Sequence, residues 1–197
     1  MDELRLFVAI PLSKSLLKRL AEVQHRLQGK VPHQSVRWVR SKGIHLTLKF
    51  LGDTPTDKVP TIRDALTVVG RNAPPCELTV EGLGCFPNPR RPRVLWVGVS
   101  EPTGRLEALQ AAVDEAMVSL GYEAERRSFT PHLTLGRVGR RTSRQDEEQI
   151  GQAVVSTTVG QLAAFTADRF ELIRSELKPS GAEYTTLDAF PLLGGQV

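Results

Sequence analysis

"GIHLTLKF" occupies positions 43–50 and "TPHLTLGR" positions 130–137, so the tetrapeptide His-Leu-Thr-Leu is spelled twice, at His45–Leu48 and at His132–Leu135. On a β-strand, alternate side chains point to opposite faces. Each copy then sends two leucines into a core and shows an imidazole beside a hydroxyl on the other face, His45 with Thr47 and His132 with Thr134. The chain has only four histidines, and two of them sit in these copies. No other stretch repeats well, which excludes a solenoid and points instead to two related lobes, each contributing one His–Thr face to a common cleft.

The segments around the copies fit this frame. Strand-like runs, rich in β-branched and aromatic residues, fall at 4–10, 36–39, 45–51, 76–86, 93–99, 132–138, 168–177 and 183–192. Helical spacing appears at 14–28, where Ser13 can cap and Gly29 follows, at 57–70, at 101–120 and at 143–156. Mixed helices and strands with short connections predict an α+β fold with largely antiparallel sheets lining a central cleft and helices outside. One domain of two pseudo-symmetric lobes is expected over 1–197, with the crossover near "RNAPPC" at 71–76.

Composition narrows the function classes. The 197 residues are 40% hydrophobic and 24% charged, ordinary for a globular protein. There is no run of eighteen apolar residues, so no membrane-spanning helix and no membrane partner is expected. "LRLFVAIPL" is short, carries Arg5 and meets Pro11, and reads as a buried strand rather than a signal peptide. Cys76 and Cys85 make no disulfide framework and suit free thiols in a reducing cytoplasm. The net charge of +4 permits a polyanionic partner. Arginine clusters at 88–93 ("NPRRPR"), 125–127 and 136–144 keep phosphate attraction in view.

Two imidazoles and two hydroxyls suit displacement at phosphorus. A neutral histidine can take the proton of an attacking oxygen while a protonated one gives a proton to the leaving oxygen. The threonine hydroxyls can donate to non-bridging phosphate oxygens, and a nearby arginine can meet the growing negative charge. The spacing matches no zinc-ligand pattern, so no metal and no cofactor is expected. His25 and His33 receive no role.

The pair "HLTLKFLG" and "RSFTPHLTLGR", with "RLFVAIPL", "VRWV" and "LGD", resembles the 2H phosphoesterase superfamily, and within it the LigT-like RNA 2′,3′-cyclic phosphodiesterases, also called 2′-5′ RNA ligases. The resemblance implies metal-independent hydrolysis of an RNA terminal 2′,3′-cyclic phosphate to a 2′-phosphate. It implies His45 as proton donor and His132 as proton acceptor, an order that the matching motifs themselves leave open. Thr47, Thr134 and Arg137 would hold the phosphate, and Phe7 would contact the substrate. A monomer with an RNA or oligonucleotide partner is expected. The alternatives are a non-catalytic RNA-end binding module, or a relative acting on another cyclic nucleotide or a 2′-5′ linkage.

Simple alternation leaves two residues to be decided. It puts Lys49 on the His45 face, as an extra phosphate ligand, and Arg137 on the leucine face. Arg137 reaches the phosphate only if the strand ends, bulges or twists at Gly136. Trp38, Phe86 and Trp96 are further aromatic candidates for stacking.

Overall fold

A computed structural model describes residues 2–178 and 181–194. Ser13 starts the first helix, its hydroxyl accepting from Leu16 N at 3.2 Å, and Ser143 starts the last in the same way, accepting from Asp146 N at 3.1 Å. In chain order the elements are β1 (Glu3–Ile10), α1 (Lys14–Gln28), β2 (Val36–Trp38), β3 (Leu46–Pro55), α2 (Val59–Asn72), β4 (Cys76–Phe86), β5 (Val94–Ser100), α3 (Arg105–Ser119), β6 (His132–Val138), α4 (Arg144–Val155), β7 (Ala163–Ala167), β8 (Arg169–Lys178) and β9 (Gly181–Pro191).

Among the described residues the strands form two sheets, in the orders β3-β1-β8-β9 and β2-β6-β5-β4-β7. Every pairing is antiparallel. The fold is α+β, as the sequence implies. The assembly interlaces the chain's halves. β2 leaves the first half to join the second sheet, and β8 and β9 return from the second half to complete the first. Segment 71–76 carries the chain from α2 to β4.

One continuous core lies behind both sheets. Leu46, Leu48, Leu133 and Leu135, the leucines of the two tetrapeptides, are 1%, 4%, 0% and 0% exposed. They meet Leu16, Leu20, Val23 and Leu27 of α1, Ile62 and Leu66 of α2, and Leu106, Val113 and Met117 of α3. Each such burial stabilises by about 1.5–3 kcal/mol, so the leucines anchor the two motifs. α4 covers a smaller cluster, in which Ile150 and Val154 meet Val36, Cys85, Leu95 and Val138. Cys76 and Cys85 are both buried free thiols.

Several boundaries differ from the sequence expectation. The helix expected from Glu101 begins at Arg105, because the Glu101 carboxylate accepts from Thr103 N and Leu106 N, at 2.9 and 3.1 Å, and folds 101–104 into a cap. α2 begins at Val59 after a short 3₁₀ turn over Thr56–Lys58. The strand expected over 45–51 continues to Pro55. No strand is expected at 163–167, yet β7 pairs with β4 along the sheet edge. Its sequence, Ala-Ala-Phe-Thr-Ala, carries little alternation to read.

Candidate active site

Both motif strands carry a bulge at the same place. Ala9 faces Thr47 and Val8 faces Lys49, which leaves Leu48 as the extra residue of β3. Trp96 faces Thr134 and Leu95 faces Gly136, which leaves Leu135 as the extra residue of β6. An extra residue reverses the alternation beyond it. The residue three places after each threonine therefore returns to the imidazole face. In β6 that residue is Arg137, and in β3 it is Phe50. Gly136 suits the kink: a Cβ there would lie 2.6 Å from Val36 Cγ1.

The reversal settles the two open residues. Arg137 is exposed and lines a cleft of about 310 Å³ together with His45, Thr47 and Thr134. Lys49, expected beside His45, turns inward instead and is 6% exposed. Its Nζ pairs with Asp114 Oδ1 and donates to the Glu123 carbonyl at 2.7 Å. The phosphate role expected for Lys49 is thereby corrected.

Each imidazole has the carbonyl two residues back acting on it. The Gly43 carbonyl favours the charged form of His45. Nδ1 of His132 lies 2.7 Å from the Thr130 carbonyl, also two residues back. A carbonyl can only accept, so Nδ1 of His132 carries the hydrogen and leaves Nε2 for chemistry. Burial pushes His45 down to about 4, against the opposing pull of the Gly43 carbonyl. His132 is lowered as well, by burial first, with the Thr130 carbonyl opposing and the Arg137 charge adding to the fall. His132 is outside the lining of the cleft itself. It sits one alternation back from Thr134 on the same face of β6, and β6 is in contact with β3. Its ring meets Phe86 edge-on at 5.0 Å. Trp96 stands on that face too, with its Nε1–H buried and unpartnered among the described residues.

The aromatic residues divide between support and exposure. Phe7 lines the cleft but is 2% exposed, stacked on His45 at 4.5 Å and met edge-on by Tyr184. It therefore backs the imidazole, and little of its ring is open to a ligand. Phe50 is 66% exposed and Tyr184 37%, and both line the cleft. Trp38 packs against both core clusters.

Sequence reasoning missed Arg37, Phe50 and Tyr184. Arg37 stands directly opposite Arg137 across the β2–β6 ladder and lines the same cleft. Like charges opposite one another on neighbouring strands repel, and among the described residues neither guanidinium has an ion pair. Two such guanidiniums side by side have the chemistry to hold an anion. Arg37 was visible in "VRWV", but its opposition to Arg137 depends on strand pairing, which one strand's sequence does not carry. Among the described residues no three His, Cys, Asp or Glu side chains are grouped to hold a metal ion, and no helix is long and apolar enough to cross a membrane.

The chain is similar to known proteins over nearly its whole length. A family model described as the 2′-5′ RNA ligase superfamily matches residues 18–179. A protein of Methanothermobacter thermautotrophicus named RNA 2′,3′-cyclic phosphodiesterase is 35% identical over 191 residues, 96% of this chain and 100% of that one. One of the same name from Archaeoglobus fulgidus is 33% identical over 187 residues, covering 95% and 99%. A solved structure from Thermus thermophilus superposes with a TM-score of 0.75 at 28% identity, covering 96% and 98%. E. coli LigT complexed with 3′-AMP superposes with a TM-score of 0.76 at 24% identity, covering 97% and 99%, a likeness of fold.

Proposed function

The chain belongs to the 2′-5′ RNA ligase superfamily, and from that premise we propose that it hydrolyses the terminal 2′,3′-cyclic phosphate of RNA to a 2′-phosphate without a metal ion. The observation that carries the reading is the pair of matched His–Thr faces, each with the carbonyl two residues back acting on its imidazole, beside Arg37 and Arg137, which make no ion pair among the described residues.

In the proposed reaction, Nε2 of His132 takes a proton from water as the water oxygen bonds to phosphorus. The bond from phosphorus to O3′ breaks, and the proton on His45 passes to O3′, leaving the phosphate on O2′. Thr47 and Thr134 donate to the non-bridging oxygens, and Arg137 and Arg37 meet the charge that gathers there. The order of acid and base, which the motifs leave open, is supported by the asymmetry of the walls. The exposed rings of Phe50 and Tyr184 stand on the His45 side. The leaving oxygen belongs to the nucleoside and the attacking oxygen to water, so a base stacked on that side turns the leaving side toward His45.

Phosphorus NMR of the product from an oligoribonucleotide ending in a 2′,3′-cyclic phosphate, in excess chelator, tests this. A 2′-phosphate is expected, with a loss on the order of 10²–10⁴-fold in either His45→Ala or His132→Ala. Full turnover by the double variant, or turnover abolished by the chelator, would sink the proposal. Tight binding with no turnover of any cyclic substrate would favour a non-catalytic RNA-end module.

A further inference from the structure

The hairpin tip between β4 and β5 holds the arginine cluster "NPRRPR" at 88–93, which the cleft chemistry does not use. The tip is a built structure. Asn88 Oδ1 accepts from Arg90 N at 3.0 Å and Arg91 N at 3.2 Å, and Arg93 N closes the turn on the Phe86 carbonyl at 2.7 Å. The tip also lies hard against α4. A Cβ on Gly151 would fall 1.9 Å from the Pro89 carbonyl oxygen, so only glycine permits the approach. Arg93 then pins the tip to α4 through Glu147, at 2.8 Å, whose side chain is 8% exposed.

The result is a fixed, basic groove. It encloses about 660 Å³ between the tip and α4, with Arg90, Arg91 and Arg144 on its walls. Arg144 is paired with Glu148 at 3.3 Å, but among the described residues Arg90 and Arg91, both exposed, make no ion pair. The tip fixes the backbone of two neighbouring exposed arginines, and gathering unneutralised guanidiniums costs repulsion, which a polyanion would relieve.

The tip leaves its sheet beside the second His–Thr motif. Phe86, the last residue before the tip, has its ring against His132. Val94, the first residue after it, is the cross-strand neighbour of Arg137. Arg90 lies four residue steps beyond Phe86, a backbone reach of at most about 14 Å.

We propose that the groove between the β4–β5 tip and α4 is a second anion site, which seats the sugar-phosphate backbone of a single-stranded RNA a few nucleotides upstream of its cyclic end. This rests on the reading of the cleft given above. It adds to that reading that the enzyme takes hold of a strand, beyond the terminal nucleotide.

Two measurements on the full chain separate the two readings. The first compares turnover of a nucleoside 2′,3′-cyclic phosphate with turnover of cyclic-ended 6-mer and 12-mer RNA, for the parent and for Arg90→Glu/Arg91→Glu. The parent is expected to gain tenfold or more in kcat/KM with length. The variant should lose that gain while keeping the parent's rate on the mononucleotide. The second reads fluorescence anisotropy with a 12-mer ending in a 3′-hydroxyl, which tests the groove without any chemistry. The variant should bind at least tenfold more weakly, with the slope of log K against log salt reduced by about 1.4 for two lost phosphate contacts. Arg90→Gln/Arg91→Gln should fall between parent and variant.

RNA affinity and length gain both unchanged in the variant would overturn the proposal. An equal loss on the mononucleotide would overturn it too, by placing both arginines on the cleft phosphate. If no cyclic substrate is turned over yet the 12-mer affinity still falls, the cleft reading fails and the strand seat stands.

Discussion

Phe7 stacks on His45 with ring centroids 4.5 Å apart and planes inclined by 26°. This face-on contact and the surrounding burial keep water from one side of the imidazole, and burial is what lowers its proton affinity. Phe7→Ala should therefore raise the His45 pKa from about 4 toward its ordinary value of 6.5. Titration of the His45 ring protons by NMR reads this directly. An unchanged pKa would show that Phe7 is not what shields the ring.

Stability should depend on pH through the same residue. The folded-state pKa of His45 lies below the unfolded one, so the unfolded chain binds more protons between about 6.5 and 4. Stability is full above the unfolded value and falls as pH drops through that window. The drop from 6.5 to about 4 is worth on the order of 3 kcal/mol. Urea denaturation at pH 7 and at pH 4.5 measures it, and His45→Gln should flatten the difference.

The rate should follow a bell displaced to the acid side. The proposed reaction needs one imidazole charged and one neutral, and both are lowered in the free protein. The optimum of kcat/KM is expected below about 6.5, the ordinary histidine value. A bound phosphate anion favours the imidazolium, so the limbs of kcat should lie at higher pH than those of kcat/KM. Coincident profiles would count against coupling between anion and imidazole.

Phe50 and Arg137 hold corresponding places on their strands and should fail in different ways. Arg137→Ala removes a donor to the developing charge and should lower kcat on the order of 10²–10³-fold. Phe50→Ala removes a stacking surface worth about 1–3 kcal/mol per base. It should raise KM for a cyclic mononucleotide by roughly 5- to 150-fold while leaving the affinity for inorganic phosphate alone. Steady-state kinetics and phosphate competition separate the two.

Lys49→Met should damage folding without touching the chemistry. It strands Asp114 next to the core, at a cost of about 3 kcal/mol for breaking such a pair from one side. Adding Asp114→Leu should recover part of that loss. Chemical denaturation of the single and double variants measures the coupling. The folded fraction of Lys49→Met should keep the parent's kcat.

What the sequence shows of this site follows from period. The inward leucines and outward His45, Thr47, His132 and Thr134 could be read because alternation holds across four residues, and Ser13 could be read as a helix cap because the cap bond is local. Lys49 and Arg137 could not be placed, because Leu48 and Leu135 each slip the pairing by one residue and bulges are fixed by the neighbouring strand. Arg37 gains its meaning only from standing across from Arg137. Tyr184 reaches the cleft from a strand near the end of the chain, and nothing in its own neighbourhood ties it to His45. β7 was hidden by its alanines, which pack without marking a face.

The interlaced strand order has a bearing on how the protein comes apart. β1 is zipped between β3 and β8, from opposite ends of the chain, and β6 between β2 and β5. A fragment cut at 72–76 would lose strands from both sheets at once, so neither half should persist as an independent module. Melting should proceed as one concerted event, and the distance across the cleft is tied down by chain that runs back and forth between its banks.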